Sequence, residues 1–396
     1  MASKQAESLK GEIRRKAQHL GFDLFGVTTP DAPDHLDVYG RWLAAGHHGK
    51  MEYLSNPRAR QRRADPLQIL PECRSILVLG TRYSKPPDLI PHFIEDSQQE
   101  TQKKTITTGQ VSAYAWGSDY HDVLVKRLRE LVAFIEGRIG IPFPHRWYTD
   151  TGPIMERELA QRAGLGWIGK NTCLIHPKQG SYFFLAELFL GLELEPDTPF
   201  TTDHCGTCTR CLDACPTACI LPNRTIDSRK CISYLTIELK DSIPKELRPQ
   251  LGNWIFGCDV CQQVCPWNQR FSTSEGDPAF AARPGLPEPA LIEEISLNAQ
   301  EFSRKFKGSP IKRAKRRGYL RNVAVSLGNN PSAGSCNALI DALLNDPDAL
   351  VRGHAAWGLA RIGGAIAHQA LLSARKKEGN DYVQKEIEDA LDEFLD

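Results

Sequence analysis

The chain has 396 residues, 41% of them hydrophobic and 24% charged, with a net charge of +1. Such values exclude a disordered polymer and a wholly nucleic-acid-coating protein, and the length allows two or three domains with real cores. The most apolar stretch, Ser181 to Leu192, contains Glu187 and is too short to span a bilayer, while the N-terminus (MASKQAESLKGEIRRKAQHL) has no apolar signal region, so a cytoplasmic protein with no membrane partner is expected.

Residues 1–198 form a first zone that mixes helix and strand patterns. Ser75–Gly80 and Thr172–His176 read as strands, Tyr120–Ile139 and Glu156–Ala163 as helices with apolar positions three and four apart. Lys85–Gln110, rich in Pro, Gln and Thr, reads as a long loop of the kind that serves as a lid or binding element. The Gly-rich Ala163–Asn171 fits neither the dinucleotide fingerprint nor the phosphate loop, and its small residues are expected to let backbone approach a large flat ligand. Asp119 to Leu124 half-resembles a D-x-H-x-x-G corrinoid element, but Leu124 replaces the glycine, so a helix-start or packing role for His121 is favoured over cobalt ligation. Asp150-Thr151-Gly152-Pro153 reads as a turn from strand to helix, and on residue type alone Asp150 suits a helix N-cap.

The second zone, 199–275, carries the densest chemical signal. Nine of the twelve cysteines lie from Cys205 to Cys265, a crowding that in a cytosolic chain points to metal. Cys205, Cys208, Cys211 and Cys215-Pro216 spell C-x2-C-x2-C-x3-C-P, the bacterial ferredoxin run. Cys258, Cys261 and Cys265-Pro266 form a second run, with Cys231 between the two. The cysteine before proline ligates the other cluster in two-cluster ferredoxins, which assigns Cys205, Cys208, Cys211 and Cys265 to one [4Fe–4S] cluster and Cys215, Cys231, Cys258 and Cys261 to the other. Structural zinc is the competing use of C-x2-C pairs, though it seldom needs the longer run twice. Cys73, Cys173, Cys219 and Cys336 read as buried small hydrophobes. Two clusters need an electron acceptor, and the first zone, lacking a metal motif of its own, is the place for a bound organic cofactor.

After the Pro-rich connector Asp277–Pro289, residues 290–396 repeat: Arg317-Gly318 and Leu327-Gly328 recur 35 residues later as Arg352-Gly353 and Ile362-Gly363. A helix pair at this interval suggests HEAT-like stacking, with an irregular bundle as the alternative. From Arg304 to Arg321 there are nine Lys or Arg and no acidic residue. Lys312, Arg313, Lys315, Arg316 and Arg317 form the densest part, either a phosphate-binding surface or a solvated helix face.

These elements resemble the epoxyqueuosine reductases, cobalamin and iron–sulfur enzymes of tRNA queuosine biosynthesis. The resemblance rests on YAWGSDYHDVL (114–124), DTGP (150–153), ERELAQRAGLGWIGKNT (156–172), GSYFFLAEL (180–188), CGTCTRCLDACPT (205–217), KCISYLTIEL (230–239) and GCDVCQQVCPWN (257–268). It runs from about residue 10 to the end of the chain. The resemblance implies an α+β protein: an N-terminal cobalamin-binding α/β-type domain, a ferredoxin-like domain with two [4Fe–4S] clusters, and C-terminal helical HEAT-like repeats. It implies a two-electron removal of the epoxide oxygen of epoxyqueuosine at the tRNA wobble position, with no protein histidine on cobalt. Asp150 falls on the family's proposed proton donor, and a carboxyl buried above the corrin would stay protonated near neutrality. Arg63, Ser112, Asn171 and Ser181 fall on cofactor-contact positions, whereas Ala113 and Ser118 stand where many relatives have arginine. The implied partners are queuosine tRNAs and an external low-potential electron donor, for a monomer. The basic residues become an RNA surface, with the 85–110 loop, Tyr114 and Trp116 as candidate linings of the entry for an unstacked base. A corrinoid reductive dehalogenase and a plain ferredoxin-type electron-transfer module are the rival functions.

Overall fold

The computed structural model describes residues 8–86 and 107–394. Most of the Lys85–Gln110 loop therefore lies outside the described residues. The first zone is built on one four-stranded antiparallel sheet in the order Leu24–Thr28, Ser75–Arg82, Phe183–Leu190, His145–Tyr148. Its two central strands, SILVLGTR and FFLAELFL, are apolar almost throughout because both faces are covered. Leu77 and Leu79 join a core with the helices Leu9–His19 and Tyr120–Ile139, while Ile76, Val78 and Phe189 face the helix Glu156–Arg162. Strand alternation puts Glu187, two residues from Phe189, on that second face.

The helix Tyr120–Ile139 has the bounds that the periodicity predicts. Asp119 caps it by accepting the His121 amide, and Gly140 closes it at φ 77°. His121 thus takes the helix-start role. The predicted strand at Thr172–His176 is shorter, Leu174–Ile175, paired with Trp167–Ile168 in a hairpin.

In Ala163–Asn171, a Cβ on Gly166 (φ 152°) would lie 2.1 Å from the Ile175 carbonyl oxygen, and one on Gly164 (φ 78°) 2.7 Å from that of Thr198. These two glycines let the chain approach itself.

The cysteine zone has four short helices, Arg210–Asp213, Ile232–Ile237, Val260–Gln263 and Pro266–Phe271, and a strand, Trp254–Phe256, that pairs in parallel with Gln110–Val111 of the first zone. The C-terminal zone stacks the helices Lys315–Asn329, Ser335–Asn345, Ala349–Ile362, Gly364–Arg375 and Asp381–Asp392. A Cβ on Gly328 would stand 2.7 Å from the Cα of Gly358, so the first and third of these helices touch backbone to backbone.

The three zones do not keep separate cores. One apolar cluster runs from Ile13 in the first helix to Leu391 in the last, and another joins Ile232 and Leu235 to Val325 and Trp357. The helix Lys315–Asn329 is buried from Gly318 to Gly328, polar residues included. Arg321, fully buried, donates to the carbonyls of Leu235, Leu239 and Asp241, and Asn322 to those of Thr236 and Ile255. The cysteine zone thereby obtains donors that its own short helices lack.

Candidate active site and cluster loops

The strand His145–Tyr148 ends at Thr149, whose hydroxyl donates to the Leu185 carbonyl at 2.8 Å. The next residue, Asp150, adopts φ 56°. This left-handed backbone disfavours most side chains by roughly 1–2 kcal/mol, aspartate being among the more tolerant. Gly152 is required beside it, because a Cβ there would stand 2.5 Å from the Tyr148 ring. Asp150 is not the N-cap that residue type suggested; Met155 occupies that position before Glu156–Arg162. Instead the Asp150 amide donates to Glu156 Oε1 at 2.6 Å, and the carboxylate turns outward. Its Oδ2 accepts from the Tyr120 hydroxyl at 2.6 Å and from Arg313 Nη1 at 3.0 Å, with His121 Nε2 at 3.9 Å. The expected burial of Asp150 is not provided by the protein: its side chain is 50% exposed, since the turn points it away from the sheet.

Beneath it lie two further carboxyls. Burial, then the charge of Asp150, pushes Glu156 up to about 8. Glu187 is completely buried and is pushed well above the carboxylate range by burial and by Glu156.

All twelve cysteines are free. The seven cysteines of the two runs lie on the short helices or the turns beside them, and the eighth, Cys231, lies before Ile232–Ile237. Among the described residues no three metal-binding side chains converge on a single ion. The donor chemistry, two sets of four thiols, fits two cubanes. Lys170, in the Gly-rich segment, donates to the carbonyls of Gly206 at 2.8 Å and Cys208 at 2.9 Å, and Trp167 Nε1 reaches Cys205 Sγ at 3.4 Å. That segment clasps the first cysteine loop. Of the remaining cysteines, Cys73 and Cys219 are buried, and Cys219 lies 3.4 Å from Cys215, sulfur to sulfur. Cys173 and Cys336 are only partly buried, so the hydrophobic reading holds less well for them.

Three of the sequence-predicted cofactor contacts are buried at the seam between the first zone and the cluster loops. Ser112 gives its hydroxyl to Asp259, which also accepts the Ala113 amide at 2.7 Å. Asn171 donates to the Cys261 carbonyl at 3.4 Å, and the Ser181 hydroxyl accepts from Asn268 at 2.9 Å and Gln262 at 3.0 Å. Their side chains therefore join the zones. Arg63, 8% exposed, places its guanidinium 5.7 Å from the Tyr39 ring centroid.

The basic segment separates by role. Lys312, Lys315 and Arg317 are exposed. Arg313 pairs with Asp150 instead of facing solvent alone, and Arg316 pairs with Asp346 at 2.6 Å and donates to the Leu297 carbonyl. Arg321 is interior, so the continuous basic face expected from the sequence is reduced to fewer residues. Trp116 is likewise interior, donating to the Val111 carbonyl, whereas Tyr114 is partly buried, with its ring 6.3 Å from that of Tyr120.

Sequence reasoning missed Tyr120, Glu156 and Tyr53. Tyr53 is 58% exposed and lies within the influence of Glu238, Asp150, Arg313 and Arg63. No motif marks it; an aromatic beside several arginines in a short helix was the only signal.

Comparison with known proteins agrees with this arrangement. The epoxyqueuosine reductase QueG family model matches residues 63–151, a 4Fe-4S double cluster binding domain matches 204–268, and HEAT repeats match 314–392. The epoxyqueuosine reductase of Pseudomonas aeruginosa is 40% identical over 355 residues, covering 90% of this chain and 95% of the relative. That of Escherichia coli is 36% identical over 353 residues and 89% of each chain. Among solved structures, an epoxyqueuosine reductase with an epoxyqueuosine-modified tRNA-Tyr stem loop superposes with a TM-score of 0.88 at 30% identity, covering 98% of this chain and 99% of that one. The Bacillus subtilis enzyme, with its catalytic loop swung out of the active site, gives 0.84 at 30% identity over 97% and 98%. Likeness of this extent, from the sheet that carries the Asp150 turn through the double-cluster insert to the last helical repeat, means that the chain belongs to the epoxyqueuosine reductase family.

Proposed function

We propose that this chain reduces epoxyqueuosine in tRNA to queuosine at a site built around Asp150. The single observation that carries the reading is a half-exposed carboxyl, held by Tyr120 and Arg313, on a chain that also carries a match to a 4Fe-4S double cluster binding domain. The reaction consumes two electrons and two protons: the two C–O bonds of the epoxide break, a carbon–carbon double bond forms, and the oxygen leaves as water. When bound, the clusters would supply electrons one at a time from an external low-potential donor, and cobalamin would supply a strongly reducing, nucleophilic centre.

The chain's own residues do the rest. Asp150 gives a proton to the departing oxygen, whose developing negative charge a nearby acid relieves. Tyr120 and Arg313 hold the carboxyl until substrate arrives and then turn to the incoming nucleotide. Arg63, beside the opening, suits the amide side chains and the phosphate of a corrinoid, and Asn171, Ser112 and Ser181 support the loops that flank it. Lys312, Lys315 and Arg317 contact tRNA phosphates, and exposed Tyr53 offers a ring on which an extruded base stacks. The enzyme is a cytoplasmic monomer in this reading.

Anaerobic purification, with iron, sulfide and cobalt analysis, followed by incubation with epoxyqueuosine-containing tRNA, tests it. The expected outcome is two clusters and one corrinoid per chain, and a tRNA nucleoside lighter by one oxygen. Protein loaded with clusters and cobalamin that leaves the nucleoside unchanged with a low-potential reductant would refute it.

A further inference from the structure

Glu187 sits in the middle of the strand Phe183–Leu190, between Val78 and Tyr148 of the neighbouring strands, with no exposure to solvent. A lone charged carboxylate there would be strongly disfavoured. Glu156, at the start of the helix packed on that face, is the charged group that adds most to burial in raising the Glu187 carboxyl, so Glu187 keeps its proton. Glu156 Oε1 accepts the Asp150 amide at 2.6 Å, where the backbone takes its left-handed turn. The other charged groups facing Glu156 are the Asp150 carboxylate and Arg157, and Arg157 also donates to the Thr172 carbonyl at 2.5 Å.

We propose that Glu156 is a positioning residue for Asp150: its carboxyl grips the Asp150 amide and fixes the left-handed turn that presents the Asp150 carboxyl to substrate. This inference rests on the proposed role of Asp150 and adds the carboxyl that holds its backbone. Glutamine at position 156 keeps an oxygen acceptor for the amide; alanine does not.

Full-length enzyme carrying its clusters and corrinoid is compared as wild type, Glu156→Gln, Glu156→Ala, Glu187→Gln and Asp150→Asn. Glu156→Ala is expected to lower kcat by about 10- to 100-fold, the scale of a misplaced reacting group, with KM for tRNA within about twofold. Glu156→Gln, which keeps an oxygen acceptor for the Asp150 amide, is expected to retain kcat within about threefold. Independently of turnover, hydrogen exchange at the Asp150 amide should quicken at least about tenfold in Glu156→Ala and stay unchanged in Glu156→Gln. The infrared band of a protonated carboxyl should weaken in Glu156→Gln and Glu187→Gln. Full kcat with unchanged exchange in Glu156→Ala would overturn the proposal, as would a Glu156→Gln variant no better than alanine. An active Asp150→Asn enzyme would instead remove the underlying role of Asp150, whereas an inactive one beside a fully active Glu156→Ala would remove only this inference.

Discussion

One oxygen of Asp150 carries both a tyrosine hydroxyl and an arginine, so this carboxyl has to exchange partners before it can serve a substrate. Replacing it with asparagine preserves size and polarity but removes the proton. Asp150→Asn should therefore lower kcat by at least about 10²-fold while the visible spectra of clusters and corrinoid stay unchanged. Tyr53 has a different task and a different readout. Tyr53→Ala should weaken binding of an anticodon stem loop by about 1–3 kcal/mol, measured by titration, whereas Tyr53→Phe should bind as wild type, because the ring face makes the contact. The motif DTGP drew attention to Asp150, but the features that define its environment came from far along the chain: Tyr120 is 30 residues away and Arg313 is 163. Spacing within a motif carries no information about such partners.

Among the elements, the segment from Lys312 to Arg321 combines surface and structural residues. Lys312 and Arg317 are exposed, so the pair Lys312→Glu and Arg317→Glu should weaken tRNA binding and reduce the slope of log affinity against log salt by about one per lost phosphate contact. Arg316→Ala, in contrast, removes the partner of nearly buried Asp346 and should lower the melting temperature with little change in that slope. The strand Phe183–Leu190 makes a second prediction through Glu187 and Glu156. Both have folded-state values above those of the unfolded chain, so between about pH 4.5 and about pH 8 the folded protein holds more protons than the unfolded chain does. Stability must fall across that window. Glu187→Gln should melt at a higher temperature than wild type at pH 8, and the difference should shrink at pH 5; an advantage that is equal at both values would count against a retained proton. Helix Tyr120–Ile139 was legible to the residue because its apolar period, cap and terminal glycine agree. Glu187 was not, since an acidic residue within FFLAELFL reveals neither its face nor its partner.

At the scale of the whole molecule, the cysteine insert and the helical repeats are bound into one body. Arg248, 1% exposed, makes a bidentate pair with Glu386 of the last helix at 2.8 and 2.6 Å. Removing one side of such a pair strands a buried charge, so Glu386→Ala should cost about 3–5 kcal/mol and be seen as lower thermal stability of the cluster-loaded protein. Loss of the C-terminal helix should expose Arg248 and loosen the cysteine zone with it, a coupling that a division into three zones does not anticipate. The sequence by itself determined the double-cluster cysteine motif, the repeat interval and the main helices, because each depends on local spacing or on a periodicity carried within the segment. Tertiary structure alone decided that Ser112, Asn171 and Ser181 fasten the seam, that Arg313, Arg316 and Arg321 of the basic run turn to partners within the protein, and that Asp150 stands half open beside Arg313. Those outcomes depend on which distant donors and acceptors the fold brings together, and buried polar groups take whatever partner the packing supplies.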